Sequence, residues 1–158
     1  MPLRVTDLPA DHLEATVAAA FFFADQRPLQ GPAALLDWRL NGQLTTLLRE
    51  GRAEGRTGEH VVIANNGKLR ADWVLFAGGG RAAGLEPDRW RKLLHGLLDI
   101  CRIAGFASLA LALETGRDFS RSQAIVLIEE LLGGPAARSV ECLVSLREPE
   151  AGRIQVLS

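Results

Sequence analysis

Lysine is nearly missing from this chain, occurring only at Lys68 and Lys92, and cysteine is present twice. Both scarcities exclude chemistry. Cys101 and Cys142 sit inside apolar patterns with no third or fourth ligand nearby, which reads as two buried free thiols and not as a disulfide or a thiolate metal site. The three histidines, His12, His60 and His95, are far apart and show no paired ligand spacing. His95 falls on the polar side of its predicted helix and is read as solvated. No Gly-x-Ser-x-Gly elbow offers a serine nucleophile. The neighbouring Glu129 and Glu130 diverge around a helix, so they cannot serve jointly as acid and base.

Charge of one sign is also lacking. The formal net charge is -1, so no general field draws the chain to nucleic acid, and its arginines are scattered along the sequence. Composition therefore argues against nucleic acid as a partner. The longest apolar run, Ala15 to Ala24, is too short to span a bilayer and has no basic flank of the kind a secretory signal carries. No membrane association is expected, and a cytoplasmic location follows as the default.

What remains is an ordinary globular composition, 47% hydrophobic and 23% charged over 158 residues, enough for one core that buries roughly two thirds of the unfolded surface. A single domain over residues 1–158 is expected. Glu14 to Phe23 reads as a strand ending near Asp25 and Pro28. Gly31 and Pro32 open a helix whose apolar stripe, Leu36, Leu40, Leu44, Leu47 and Leu48, runs unbroken to Gly51. After a glycine-rich linker from Gly51 to Gly58, Glu59 to Ala64 and Asp72 to Ala77 read as strands around Asn65-Asn66-Gly67.

A helix follows from Pro87, with Trp90, Leu93, Leu94, Leu97, Leu98 and Cys101 on one face. Ala107 to Leu113 is apolar without alternation, as a central strand covered on both faces should be. Ser120 and Gln123 form a capping box for a helix reaching Leu132, stopped by Gly133-Gly134-Pro135. Val140 to Leu146 and Arg153 to Leu157 read as closing strands. This alternation predicts an α/β protein, a three-layer α/β/α arrangement with a mixed, mostly parallel sheet.

Ala77-Gly78-Gly79-Gly80-Arg81-Ala82-Ala83 follows a strand and precedes a helix, where glycine N–H groups can approach an anion. Gly78, Gly80 and Ala83 formally satisfy Gly-x-Gly-x-x-Ala. However, the helix starts only near Pro87, Glu86 and Asp88 put negative charge at its entrance, and Glu114 comes later than the dinucleotide spacing requires. A tight structural turn accounts for the loop better than a nicotinamide site does.

The spacing Leu29-Gln30-Gly31, Leu36-Asp37, Leu40-Asn41-Gly42, Leu44, Leu48, Gly51, Gly55, Gly58-Glu59, then an apolar strand into Gly78-Gly79-Gly80, resembles the N-terminal domain of the leucyl aminopeptidase family, peptidase family M17. The resemblance runs from about Ala15 to Leu113, includes Asp25 to Leu29, and continues through the helix from Ser120. It implies a macro-domain-like fold. It also implies a domain lying outside the active site, associated in that family with assembly, regulation and, in some bacterial members, DNA binding. Catalysis there belongs to a larger C-terminal domain with two metals and an Asn-Thr-Asp-Ala-Glu-Gly-Arg motif, which nothing in this chain matches.

The expectation is a non-catalytic module with no catalytic residue, no metal and no cofactor. It would act in protein association or regulation, as a homo-oligomer or with a partner such as an aminopeptidase subunit. The alternative is a module binding a nucleotide or an ADP-ribose-like anion through Asn65, Asn66, Gly78, Gly79, Gly80 and Arg81. The self-association surface expected from sequence is the strand from Val140 to Leu146, apolar on both faces and placed near a sheet edge.

Overall fold

The computed structural model describes residues 3–116, 118–134 and 140–148. Six strands form one sheet in the order β1-β6-β5-β2-β4-β3. They are β1 (Leu3–Thr6), β2 (Glu14–Phe22), β3 (His60–Ala64), β4 (Arg70–Gly78), β5 (Ser108–Glu114) and β6 (Glu141–Arg147). All pairings are parallel except β3 with β4, so the mixed, mostly parallel sheet is as expected. Among the described residues four α-helices cover it: α1 (Gly31–Arg39), α2 (Gln43–Arg49), α3 (Pro87–Ala104) and α4 (Arg121–Leu132).

Each face of the sheet carries its own core. Val17, Leu75, Leu111 and Val144 pack with α3 and α4, while Ala20, Phe76, Ala110 and Ala112 pack with α1 and α2. The alanines on the second face let α1 approach the sheet closely. β5 is central and buried along its length, the reason its sequence shows no polar alternation.

Three expectations change. The stripe from Leu36 to Leu48 is two helices, not one. Asn41 and Gly42 both adopt left-handed backbone, φ 59° and 74°, which no helix continues through. Asp37 on α1 then accepts the backbone N–H groups of Leu44 and Thr45 at the start of α2, replacing the hydrogen bonds lost at the break. Second, the strand at Val140 to Leu146 is not an edge. β6 is paired on both sides, by β1 and by β5, and Cys142 and Val144 lie in the α3–α4 core while Leu143 packs on the other. Its two apolar faces are covered within the chain. Third, β1 supplies an edge strand that the sequence did not announce. The predicted strand Arg153 to Leu157 and the stop at Pro135 lie outside the described residues.

Candidate functional site

Parallel strands end together, so the carboxyl ends of β2, β4, β5 and β6 gather at one rim of the sheet. The connection from β2 leaves through α1 and α2, and that from β5 leaves through α4 on the opposite face. Adjacent strands whose connections part in this way leave a crevice between their ends, the usual ligand position in open α/β sheets. Here it is a cavity of about 180 Å³ lined by Phe21, Phe23, Gln26, Gln30, Trp90 and Glu114 among others. A smaller one of about 100 Å³ shares Pro32 and Glu114 and extends to Ser145 and Arg147.

The walls are aromatic and amide, with one carboxylate. Trp90 meets Phe21 and Phe23 edge-on and stacks on Phe119, centroids 4.9 Å apart, which fixes the floor. Glu114 lies over the start of α1: a Cβ at Gly31 would sit 2.6 Å from its Oε1. A carboxylate is favoured at that helix end by the dipole. Such a lining can hold a planar molecule and orient it by amides. It contains no nucleophile beside a base.

The glycine loop closes the same rim and is fully engaged inside the protein. Gly78, Gly79 and Gly80 donate their N–H groups to the carbonyls of Glu59, Phe22 and Gly55, at 2.7, 2.9 and 2.8 Å. A Cβ at Gly78 would meet the Arg56 carbonyl oxygen at 2.0 Å, and one at Gly79 the Phe23 ring at 2.3 Å. Glycine is needed there for close packing. Beyond Arg81, the N–H groups of Ala82 and Ala83 are taken by the Asp25 carboxylate at 2.7 and 3.0 Å. Those two hydrogen bonds hold the Asp25 carboxyl below its ordinary value, with a smaller contribution from the Arg81 charge.

Arg81 itself is exposed. Arg27 donates to the carbonyls of Phe23, Gln26 and Glu54, and Glu59 accepts from the N–H of Glu54 and Gly55. Of the stretches that carried the family resemblance, Asp25 and Arg27, Gly55 and Glu59, and the Gly78 loop thus meet in one structural knot.

Asn65 and Asn66 do not join this loop. β3 and β4 form an antiparallel hairpin, His60 opposite Ala77 and Ala64 opposite Trp73, so Ala64 and Ala77 close at opposite ends of the sheet. Arg70 to Ala77 of β4 separate Asn66 from the glycines, roughly 26 Å of extended chain. Asn65 instead organises its own turn, accepting from Gly67 and Leu69 N–H and donating to the Leu69 carbonyl. The sequence reading left Gln26 and Gln30 out of the site and weighed Glu114 only as the acidic residue of a dinucleotide site; the signal of all three was position at or beyond a strand end.

Among the described residues no group of three or more His, Cys, Asp or Glu side chains is placed to hold a metal ion. Cys101 and Cys142 are free and buried, and burial pushes each thiol up to about 12. Burial likewise lowers the His60 imidazole from its usual value. No helix among the described residues is long and apolar enough to cross a membrane.

The sheet order and layers define a macrodomain-like α/β/α fold. The macrodomain of Trypanosoma brucei, solved in complex with ADP-ribose, superposes with a TM-score of 0.66 at 21% identity, covering 91% of this chain and 63% of that one. The macrodomain of Thermus aquaticus DarG superposes at 0.64 with 13% identity, covering 93% and 98%. At the level of sequence, residues 20–132 match the N-terminal domain of the cytosol aminopeptidase family, and the chain belongs to that family. A probable cytosol aminopeptidase of Pseudomonas fluorescens is 30% identical over 139 residues, 85% of this chain and 27% of that protein. The cytosol aminopeptidase of Pseudomonas aeruginosa is 28% identical over 123 residues, 75% of this chain and 25% of that protein. The chain spans about a quarter or less of the length of the curated relatives it matches.

Proposed function

We propose that this domain acts without catalysis of its own, in the cytoplasm, by associating with protein: a second copy or an aminopeptidase catalytic unit. The observation that carries this reading is the commitment of the rim's polar groups. The N–H groups of Gly78, Gly79 and Gly80 already serve carbonyls of the fold, and those of Ala82 and Ala83 already hold the Asp25 carboxylate. Meanwhile Trp38 is left 66% exposed beside Arg39, whose guanidinium lies 4.7 Å from its ring centroid. Tryptophan and arginine are the side chains most often found at the energetic centre of protein interfaces.

The test combines light scattering of the purified chain with sedimentation of the chain mixed with the Pseudomonas aeruginosa aminopeptidase. A defined homo-oligomer or a stoichiometric complex is the expected result, together with no hydrolysis of leucine amides when manganese or zinc is added. A monomer that binds neither itself nor the enzyme overturns the reading, as does metal-dependent turnover that survives removal of contaminating peptidases.

The cavity between β2 and β5 favours a second reading, a module for a nucleotide or ADP-ribose-like molecule, supported by a fold shared with a macrodomain solved with ADP-ribose. Its contacts would come from Phe23, Gln26 and Gln30, with the Gly78 loop as a wall. Calorimetric titration with ADP-ribose, ATP and NAD that releases no heat would remove it.

A further inference from the structure

The two edges of the sheet are unlike. β1 is four residues long and presents the exposed Arg4, the kind of short, charged strand that discourages pairing. β3 reads His60-Val61-Val62-Ile63-Ala64, with no lysine, proline or carboxylate. Beside it, on the face of α3, Val62 is 47% and Trp73 41% exposed. Val62 stands opposite Leu75 and Ala64 opposite Trp73, so these two side chains are diagonal neighbours on one patch.

The direction of the backbone groups follows from the hairpin. Asn65 N–H donates to the Asp72 carbonyl and Gly78 N–H to the Glu59 carbonyl, across directly opposed residues. In an antiparallel ladder hydrogen-bonded pairs alternate, so Glu59, Val61, Ile63 and Asn65 face β4. The N–H and C=O groups of His60, Val62 and Ala64 point outward.

We propose that β3 pairs with β3 of a second copy, antiparallel about a two-fold axis at Val62, joining two sheets into one. This rests on the association reading above and assigns self-association to the β3 edge, a surface separate from Trp38 and Arg39. The outward set is complementary to itself. With Val62 opposite Val62 of the partner copy, His60 falls opposite Ala64, and each such pair exchanges two hydrogen bonds, using every outward group of the three residues. The charges agree with the same axis, since Glu59 faces Asn65 and Gly58 faces Asn66, with no like charges opposed. Two Val62 side chains then meet on the axis and the two Trp73 rings flank them. An isologous contact of this kind closes at two copies.

Charge at the axis tests the idea. Val62→Lys and Val62→Asp each place two like charges face to face, and each variant alone is expected to dimerise at least roughly tenfold more weakly than the native chain in sedimentation velocity. Mixed in equal amounts, the two variants are expected to reassociate. Val62 is half exposed, so both variants should keep the native circular dichroism spectrum. In the native dimer, amide exchange at His60, Val62 and Ala64 should slow as concentration rises. A native chain that stays monomeric throughout overturns the pairing, leaving association with an aminopeptidase to its own experiment. A native dimer that Val62→Lys leaves intact also overturns it, while the wider association reading then stands.

Discussion

Asp37 lies on α1, yet its Oδ1 accepts the backbone N–H of Leu44 on α2 at 2.7 Å. Oδ2 takes the N–H and hydroxyl of Thr45, so a buried carboxylate on one helix caps the next. Replacing Asp37 by Ala leaves a buried donor without an acceptor, which costs about 2–3 kcal/mol. Asp37→Asn should cost less, because one oxygen remains. Chemical denaturation of the three proteins checks the order, and an Asp37→Ala variant as stable as the native protein would remove the cap from the account.

Gly79 and Phe23 make a second testable contact. A methyl at Gly79 collides with the Phe23 ring, so Gly79→Ala should destabilise by about 1–3 kcal/mol through overpacking. Phe23→Leu should recover part of that loss in the double variant, a coupling that a denaturant cycle measures directly. Gly78→Ala meets a backbone carbonyl instead, and no side-chain change should rescue it. Both outcomes follow if the glycines serve packing. Loss of ligand binding with stability unchanged would contradict them.

The pH dependence of the rim follows from Asp25. Hydrogen bonds from Ala82 and Ala83 keep its folded value below the ordinary 3.8, so the folded chain binds that proton less readily than the unfolded chain does. The resulting stabilisation is complete above about 3.8 and is lost as pH falls through the depressed folded value. Asp25→Ala should therefore be less stable than the native protein at neutral pH, and the two should converge in acid. Amide exchange at Ala82 and Ala83 should quicken in the variant at neutral pH, and a difference in stability that persists in strong acid would refute the linkage.

How much of this was legible depended on distance along the chain. The helix α3 was readable because one turn of sequence repeats the next, and the cap of α4 because Ser120 and Gln123 are three residues apart. The break between α1 and α2 was hidden by the apolar stripe itself, which continues across it because Leu36, Leu40 and Leu44 are all buried. Only Asn41-Gly42 marked the turn. Four residues of β1 carry too short a pattern to read.

At the rim, the position of the Gly78 loop at a strand end was visible. The occupants of its N–H groups were not, since Asp25 stands 57 positions from Ala82. Asn65 and Asn66 were drawn into the same site because composition does not say whether two neighbouring strands run together or oppositely.

The pairing of Leu3 with Cys142 has a consequence for biosynthesis. β1 is made before the other five strands of the sheet, yet its parallel partner comes from almost the far end of the described chain, whereas β3 finds β4 a few residues later. Contacts of such long range form slowly because a large loop must close first. During translation β1 has no ladder to join until β6 has emerged, and until then β6's place beside β5 is empty as well. Of the six strands the earliest made is thus the last to be locked, and the half-built sheet ends at β5, a border that β6 covers in the finished molecule.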